Sequence, residues 1–323
     1  MDRLTPETVT EAGWEGDPPP AVADAVTALA DARRALVDAA GSSPPRYYGI
    51  IALDGDHMGK WLSGDMTGQP VTEEFWRGVS GSLRTYAGSV RGMVREQAGY
   101  PVYAGGDDVL ALNPLATALE CAAKLRSEFP RFGTDKDGKP PTASAGLAIV
   151  HYQHDLRAGL RAARKAEHDA KEAGRDRLGI SLVKRSGGQV DLVIEWDQVP
   201  RLLKLQRLFA EGLSDRWLYK LDETLPDLHP DLAGEALTAT GGALTAIVAH
   251  SLKRIEIARE NAPGLRRELG LPEDADAEAI KQALRDHVAG QFADWQRRAR
   301  GLEALERFIK FGMIASFLHR GRD

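Results

Sequence analysis

The sequence predicts an α+β fold in which a small sheet domain is followed by an all-α helical bundle. Between residues 44 and 198, short apolar runs alternate with helical periodicity in the order β-α-β-β-α-β. This order is that of a ferredoxin-like split βαβ unit. From residue 201 onward strand signals almost vanish, and long helical periodicity continues to residue 323. The predicted architecture is therefore a ferredoxin-like (βαββαβ) domain with a separate bundle behind it.

Three regions follow from this pattern. Residues 1–43 form a polar tail and one amphipathic helix over 21–40, which Gly41 and the following prolines end. Residues 44–198 form the sheet domain, and residues 199–323 form a bundle of about five helices.

The elements of the sheet domain are read from local signals in chain order. Apolar, β-branched and aromatic runs predict strands, and 3.6-residue periodicity predicts helices. The predicted strands are Tyr47–Leu53, Tyr100–Tyr103, Val109–Leu112, Thr142–Tyr152, Ile180–Val183 and Val190–Trp196, and the predicted helices are Thr72–Gln97, Leu115–Phe129 and Asp155–Ala173.

The predicted topology brings distant carboxylates together. In a βαββαβ unit the third strand lies between the first and the second. The end of the first strand therefore meets the turn between strands two and three. Asp54 is expected to lie beside Asp107 and Asp108, although these are 53 and 54 positions further along the chain.

Such a carboxylate group suits metal-dependent phosphoryl or nucleotidyl transfer, in which cations neutralise a triphosphate. Asp54 and Asp107 are the predicted ligands of Mg²⁺ or Mn²⁺, with Asp108 completing the site. Gly105 and Gly106 allow a tight turn and close approach of phosphates. The tetrapeptide by itself is also ordinary turn chemistry, so its position after an Asp-ended strand carries the prediction.

The segment after the first strand is a candidate phosphate cradle. Its backbone N–H groups are free to face phosphates, and a lysine supplies a point charge. The predicted ATP- and phosphate-binding residues of this segment are Gly55, Asp56, Gly59 and Lys60.

Composition excludes several classes of protein. The net charge of −5 argues against a general nucleic-acid coat protein. Cys121 is the single cysteine, which excludes a disulfide framework and predicts a small buried hydrophobe. No signal peptide and no apolar run of ~20 residues is present, so we expect a cytoplasmic protein without a membrane segment.

The motifs resemble a known superfamily. The stretch from Tyr47 to Gly64 is similar to the first palm motif of the large subunit of Cmr-type complexes, and Gly105-Gly106-Asp107-Asp108 resembles that family's cyclase motif. Ser144-Ala145-Gly146 resembles the Ser-x-Gly of the wider group, which contains GGDEF cyclases and type III CRISPR polymerases. The stretch Ala170–Arg177 resembles its Ala-Lys-x-x-Gly-Arg-x-Arg.

This resemblance implies conversion of ATP to cyclic oligoadenylates by a palm subunit of a type III CRISPR effector complex. The activity would be switched on when guide RNA meets target RNA, and other subunits would be partners. The resemblance also implies that Lys171 contacts the triphosphate and that Ser144 belongs to the nucleotide site.

The sequence departs from the full-length family pattern. The 323 residues contain no His-Asp pair of an N-terminal HD nuclease domain, no cysteine cluster for a zinc site and no room for a first palm. We therefore expect a naturally short or split form, or a fragment. Because the family's ATP pocket lies between two palms, a separate chain or a second copy of this one is expected to complete it. Two alternatives stay open: a catalytically silent scaffold subunit, and a free-standing homodimeric nucleotide cyclase.

Some residues receive a structural interpretation. A solvated helix face is predicted for the basic cluster Arg297, Arg298 and Arg300. Core or interface positions are predicted for Trp61, Trp76, Trp196, Trp217 and Trp295.

Overall fold

The computed structural model describes residues 45–68, 70–228, 237–252 and 257–320, with seven further positions between 20 and 31. The predicted tail and helix over residues 1–43 otherwise lie outside the described residues. Residues Arg46–Arg322 form one compact unit.

The predicted α+β class is confirmed by a six-stranded sheet with strand order β2-β3-β1-β4-β5-β6. β3 lies between β1 and β2 as predicted, and β4–β5 is the parallel pair. The strands are β1 (Tyr47–Gly55), β2 (Tyr100–Gly105), β3 (Asp108–Pro114), β4 (Ala143–His151), β5 (Arg177–Val183) and β6 (Gln189–Glu195). The helices among them are α1 (Met58–Ser63), α2 (Glu73–Glu96), α3 (Ala118–Ser127) and α4 (Leu156–Glu172). The short helix α1, directly after β1, was not predicted.

The two faces of the sheet bury alternate residues of β1. Ile51 and Leu53 pack into the core that includes residues of α2 and α3, whereas Ile50 and Ala52 pack on the opposite face beside Ala163 of α4. Helix α4 lies close against its strands. A Cβ added at Gly146 would lie 2.0 Å from the Ala163 carbonyl oxygen, so only glycine permits this approach.

The C-terminal part is helical, as predicted. Its described residues contain six α-helices, one more than expected. They are α5 (Val199–Ala210), α6 (Arg216–Thr224), α7 (Leu237–Ser251), α8 (Ala262–Leu269), α9 (Ala277–Arg298) and α10 (Gly301–Arg320). Buried residues of these helices belong to the same apolar cluster as the α2–α3 face of the sheet. The domain boundary at residues 198/199 therefore stays a prediction. No described helix is both long and apolar enough to cross a bilayer.

The predicted solvated face is wrong for Arg298, whereas Arg297 and Arg300 are exposed. The Arg298 side chain is only 18% exposed and pairs with Asp294 at 2.9 Å, with Asp197 at 2.6 Å and with Glu195. Arg297 also pairs with Asp294, at 2.8 Å. Burial of the Asp294 side chain explains why Arg298 is paired and not solvated, because a buried carboxylate requires paired cations.

The tryptophan interpretation is confirmed in part. Trp61, Trp217 and Trp295 are buried, and Trp196 packs partly buried against the same core. Trp76 is 54% exposed, so it is not a core residue, and its interface interpretation stays a prediction. Cys121 is fully buried, as predicted.

Candidate active site

Strand register brings the predicted carboxylates to one edge of the sheet. Leu53 of β1 pairs with Val109 of β3, so the next residue of β1, Asp54, lies beside Asp108. Gly105 pairs with Asp108 and closes a two-residue turn formed by Gly106 and Asp107. Gly106 has a φ of 79°, a left-handed conformation that glycine adopts without strain. The meeting of the three aspartates is thus a consequence of the βαββαβ order.

Lys171 connects helix α4 to this edge. Its ammonium donates a hydrogen bond to Asp54 and lies 2.8 Å from Glu167 one turn earlier. Burial alone would lower the pKa of Lys171, but the hydrogen bonds to Asp54 and Glu167 outweigh it and raise the pKa. Lys171 therefore stays charged, and its ammonium group lies against the carboxylates of Asp54 and Glu167.

The remaining two aspartates carry unfavourable charge. Burial raises the pKa of Asp107, and repulsion from Asp54 and Asp108 raises it further. Burial likewise raises the pKa of Asp108, with added repulsion from Asp54. Carboxylates crowded in this way gain stability when a cation binds between them.

The carboxylate oxygens of this site suit a hard divalent cation that takes its remaining ligands from water or substrate. Among the residues that the structure describes, no group of three or more His, Cys, Asp or Glu side chains is arranged to hold a metal ion. Mg²⁺ usually binds proteins through one or two carboxylates and takes its other ligands from substrate phosphates and water. Two oxygen donors from Asp54 and the Asp107–Asp108 pair fit that pattern.

A second group of polar side chains lies beneath the cleft that Asp54, Asp108 and Lys171 border. The Asp56 side chain accepts hydrogen bonds from Thr142 at 2.7 Å, from Ser144 at 2.8 Å and from the Asp176 N–H at 3.0 Å. Asp56 is 2% exposed and Ser144 is fully buried. In this structure these two predicted nucleotide-binding residues fasten the loop after β1 to β4, and they do not face the cleft.

The turn after α4 is shaped to reach these polar side chains. Arg175 and Asp176 both have positive φ, at 64° and 49°, directly after Gly174. Such backbone is costly for residues with a Cβ and is maintained only by its surroundings. Here it directs the Asp176 N–H onto Asp56. The motif that contains Lys171 thus also supports the loop on which Asp56 lies.

The loop after β1 packs directly against the hairpin turn. A Cβ added at Gly55 would lie 3.0 Å from the Cβ of Asp107, so the glycine permits close contact. Gly59 and Lys60 are exposed on α1. Burial lowers the pKa of His57, and Arg175 and Lys60 lower it further, which indicates a cationic neighbourhood at this loop.

The cleft contains residues that the sequence did not single out. A cavity of about 600 Å³ is lined by parts of β1, β3 and α4 and includes Tyr103, Arg164 and Glu167 together with Asp54, Asp108 and Lys171. Arg164 and Glu167 lie seven and four residues before Lys171 on the same helix. Their spacing from Lys171, the predicted phosphate ligand, places them on the same helix face, and this spacing could have identified them from the sequence.

A βαββαβ sheet with aspartates at the end of β1 and in the β2–β3 turn has the architecture of a palm domain. Residues 47–179 match the family model for Cas10/Cmr2, second palm domain. A curated relative, the CRISPR system Cmr subunit Cmr2 of Pyrococcus furiosus, is 35% identical over 206 residues. That match covers 55% of this chain and 24% of the relative, so the chain spans about a quarter of its length.

Solved structures with related folds include an apo type III-B Cmr-beta complex and an active GGEEF domain of a diguanylate cyclase from Vibrio cholerae. The first has 14% identity and a TM-score of 0.47 and covers 71% of this chain and 36% of that one. The second has 19% identity and a TM-score of 0.32 and covers 46% and 89%.

Proposed function

We propose that this chain is a palm subunit of a type III CRISPR RNA-guided complex that makes cyclic oligoadenylates from ATP in the cytoplasm when target RNA binds. The observation that carries the proposal is the meeting of Asp54 with Asp107 and Asp108 beside the ammonium of Lys171. The match of residues 47–179 to the Cas10/Cmr2 second palm domain supports it.

The reaction requires little covalent help from the protein. A ribose 3′-hydroxyl attacks the α-phosphorus of the next ATP. The new O–P bond forms as the bond to pyrophosphate breaks and the hydroxyl proton passes to solvent, and the same step between chain ends closes the ring. Bound Mg²⁺ or Mn²⁺ would supply charge neutralisation for this step. Asp54 and Asp107 would hold the cation and Asp108 would complete the site, while Lys171 and Lys60 would steady the phosphates.

The site also suits a partner. Tyr103 borders the cleft and is 52% exposed, and Tyr100 at the other end of β2 is 68% exposed. A second palm, from another chain or from a second copy of this one, would cover these side chains and complete the ATP pocket. Other subunits, guide RNA and target RNA are the further proposed partners.

The test is incubation of the full chain, both assembled with its partner subunits and purified alone, with ATP or GTP and Mg²⁺ or Mn²⁺, with and without cognate RNA, followed by mass analysis. We expect cyclic oligoadenylates from the wild type and their loss in Asp107→Asn. Asp65→Asn is the matched control, because Asp65 is an exposed aspartate of the loop after α1.

Two outcomes would redirect the proposal. Identical product profiles from the wild type and Asp107→Asn would favour the silent scaffold. Product formed by a purified dimer without RNA would favour the free-standing cyclase.

A further inference from the structure

Helix α2 carries an unpaired row of arginines on its exposed face. Arg84, Arg91 and Arg95, here called the arginine stripe, are all exposed. At 3.6 residues per turn they lie within an arc of about 40° and span about 16 Å along the helix. Among the described residues, none of these three arginines forms an ion pair, whereas Arg77 pairs with Glu73 at 2.7 Å.

The surface beside the arginine stripe is open and polar. The helix contains no acidic residue between Arg77 and Arg95, and its exposed positions in that stretch are Arg, Ser, Thr or Gly. A Cβ added at Gly81, Gly88 or Gly92 would meet nothing within 4 Å. A protein partner generally covers apolar side chains, and this stretch exposes none. A polyanion is the better match.

One large aromatic side chain lies about two turns of α2 before the arginine stripe, rotated by about 80° around the helix axis from Arg84. Trp76, in the first turn of α2, is 54% exposed in a protein whose other described tryptophans are buried or partly buried. Nucleic-acid bases stack on exposed aromatic rings, while arginines contact the phosphates.

We propose that the exposed face of α2 binds single-stranded RNA, with the arginine stripe on the phosphates and Trp76 under a base. This inference deepens the proposed function, because it names the surface that holds RNA. It is tested without nucleoside triphosphate, so its failure is separate from failure of the cyclase proposal.

The experiment is fluorescence anisotropy of a labelled 20-nucleotide RNA titrated with the full chain at several salt concentrations. The stripe variant Arg84→Gln/Arg91→Gln/Arg95→Gln should bind about tenfold or more weakly. Its slope of log affinity against log salt should fall by about 2, since each phosphate contact on a single strand contributes about 0.7.

A matched control is the triple Arg131→Gln/Arg216→Gln/Lys220→Gln. These cations are exposed and form no ion pair within the described part of the chain, and their removal changes the net charge equally. The control should keep its affinity within about twofold, because only a local effect is expected. Equal losses in both triple variants would overturn the proposal.

Two further variants separate contact from folding. Arg84→Lys/Arg91→Lys/Arg95→Lys retains the charge and should stay within about threefold of wild type. Trp76→Ala should weaken binding by about fivefold or more if a base stacks there. Unchanged RNA affinity in the stripe variant would overturn the proposal in favour of an acidic protein surface as the occupant.

Discussion

The ammonium of Lys171 is hydrogen-bonded to the carboxylate of Asp54, 117 positions away in the sequence. The pair joins the last turn of α4 to the end of β1, at the place where Asp108 also lies. Lys171 also forms an ion pair with Glu167, so two carboxylates balance its charge before any substrate binds. Binding of a cation by Asp54 would free Lys171 for a phosphate.

The first prediction concerns this lysine. Lys171→Met should reduce product formation by about 10–100-fold, because a charge placed on the triphosphate is lost. Initial rates at saturating ATP, measured in the activated complex, give the result. Lys165→Met is the control, since Lys165 lies on the same helix in an exposed pair with Asp169. Equal rates in the wild type and Lys171→Met would remove Lys171 from the site.

The second prediction concerns the pH dependence of stability. The raised pKa of Asp107 means that ionisation is less favourable in the folded state, so the ionised group destabilises it above that pKa. Without added metal, Asp107→Asn should raise the melting temperature at pH 7 by about 1–3 °C. As the pH falls through the raised pKa, the wild-type carboxyl takes up a proton and the gain should shrink.

Calorimetry of the wild type, Asp107→Asn and the exposed-loop control Asp137→Asn over this pH range tests the sign. A lower melting temperature for Asp107→Asn at pH 7 would contradict crowding of the carboxylates. Mg²⁺ should raise the melting temperature of the wild type more than that of the variant.

The third prediction uses two glycines that are four residues apart, Gly55 at the end of β1 and Gly59 on α1. A Cβ at Gly55 would lie 2.7 Å from the Met58 side chain, 2.9 Å from that of Phe129 and 3.0 Å from that of Asp107. Gly55→Ala should therefore displace the turn and cost about 1–3 kcal/mol in the free energy of unfolding. Gly59→Ala meets nothing within 4 Å and should be neutral or stabilising. Urea denaturation compares the two, and equal effects would show that the close packing at Gly55 is unimportant.

The fourth prediction concerns the polar side chains beneath the cleft. Asp56→Asn turns one acceptor oxygen into an NH₂ group that faces hydrogen-bond donors. Because the side chain is buried, the change should cost about 2–4 kcal/mol. Chemical denaturation measures it, with exposed Asp65→Asn as the control. A loss below about 0.5 kcal/mol would mean that the three hydrogen bonds to Asp56 do not hold the loop.

The fifth prediction concerns the connection between sheet and bundle. Arg298→Met leaves Asp294, Asp197 and Glu195 without this cation and should cost about 2–4 kcal/mol. Arg307→Met, which breaks an exposed pair with Glu303, should cost less than about 0.5 kcal/mol. Because one apolar core runs through both parts, denaturation followed by circular dichroism and by tryptophan fluorescence should give one coincident transition. Two separate transitions would establish the domain boundary predicted at residues 198/199.

Local pattern was sufficient for most of the sheet and its covering helices. Helix α2 ends within one residue of its predicted limits, and strand β1 extends two residues beyond its own. Helix α1 escaped prediction because its six residues are too few to show a period. Arg298 was misread because its counter-ions include Glu195 and Asp197, about a hundred residues earlier, which helical spacing cannot reveal.

The sequence by itself determined the order of elements, and through that order the meeting of Asp54 with Asp107 and Asp108. Strand order is a property of connectivity, which a chain carries in its local signals. Tertiary structure alone decided which polar groups face the cleft. Asp54 and Asp56 stand two residues apart, yet Asp54 pairs with Lys171 at the cleft while Asp56 is enclosed by Thr142, Ser144 and Asp176. A buried carboxylate must find its donors among residues far away in sequence, and only the packed fold shows where those donors are.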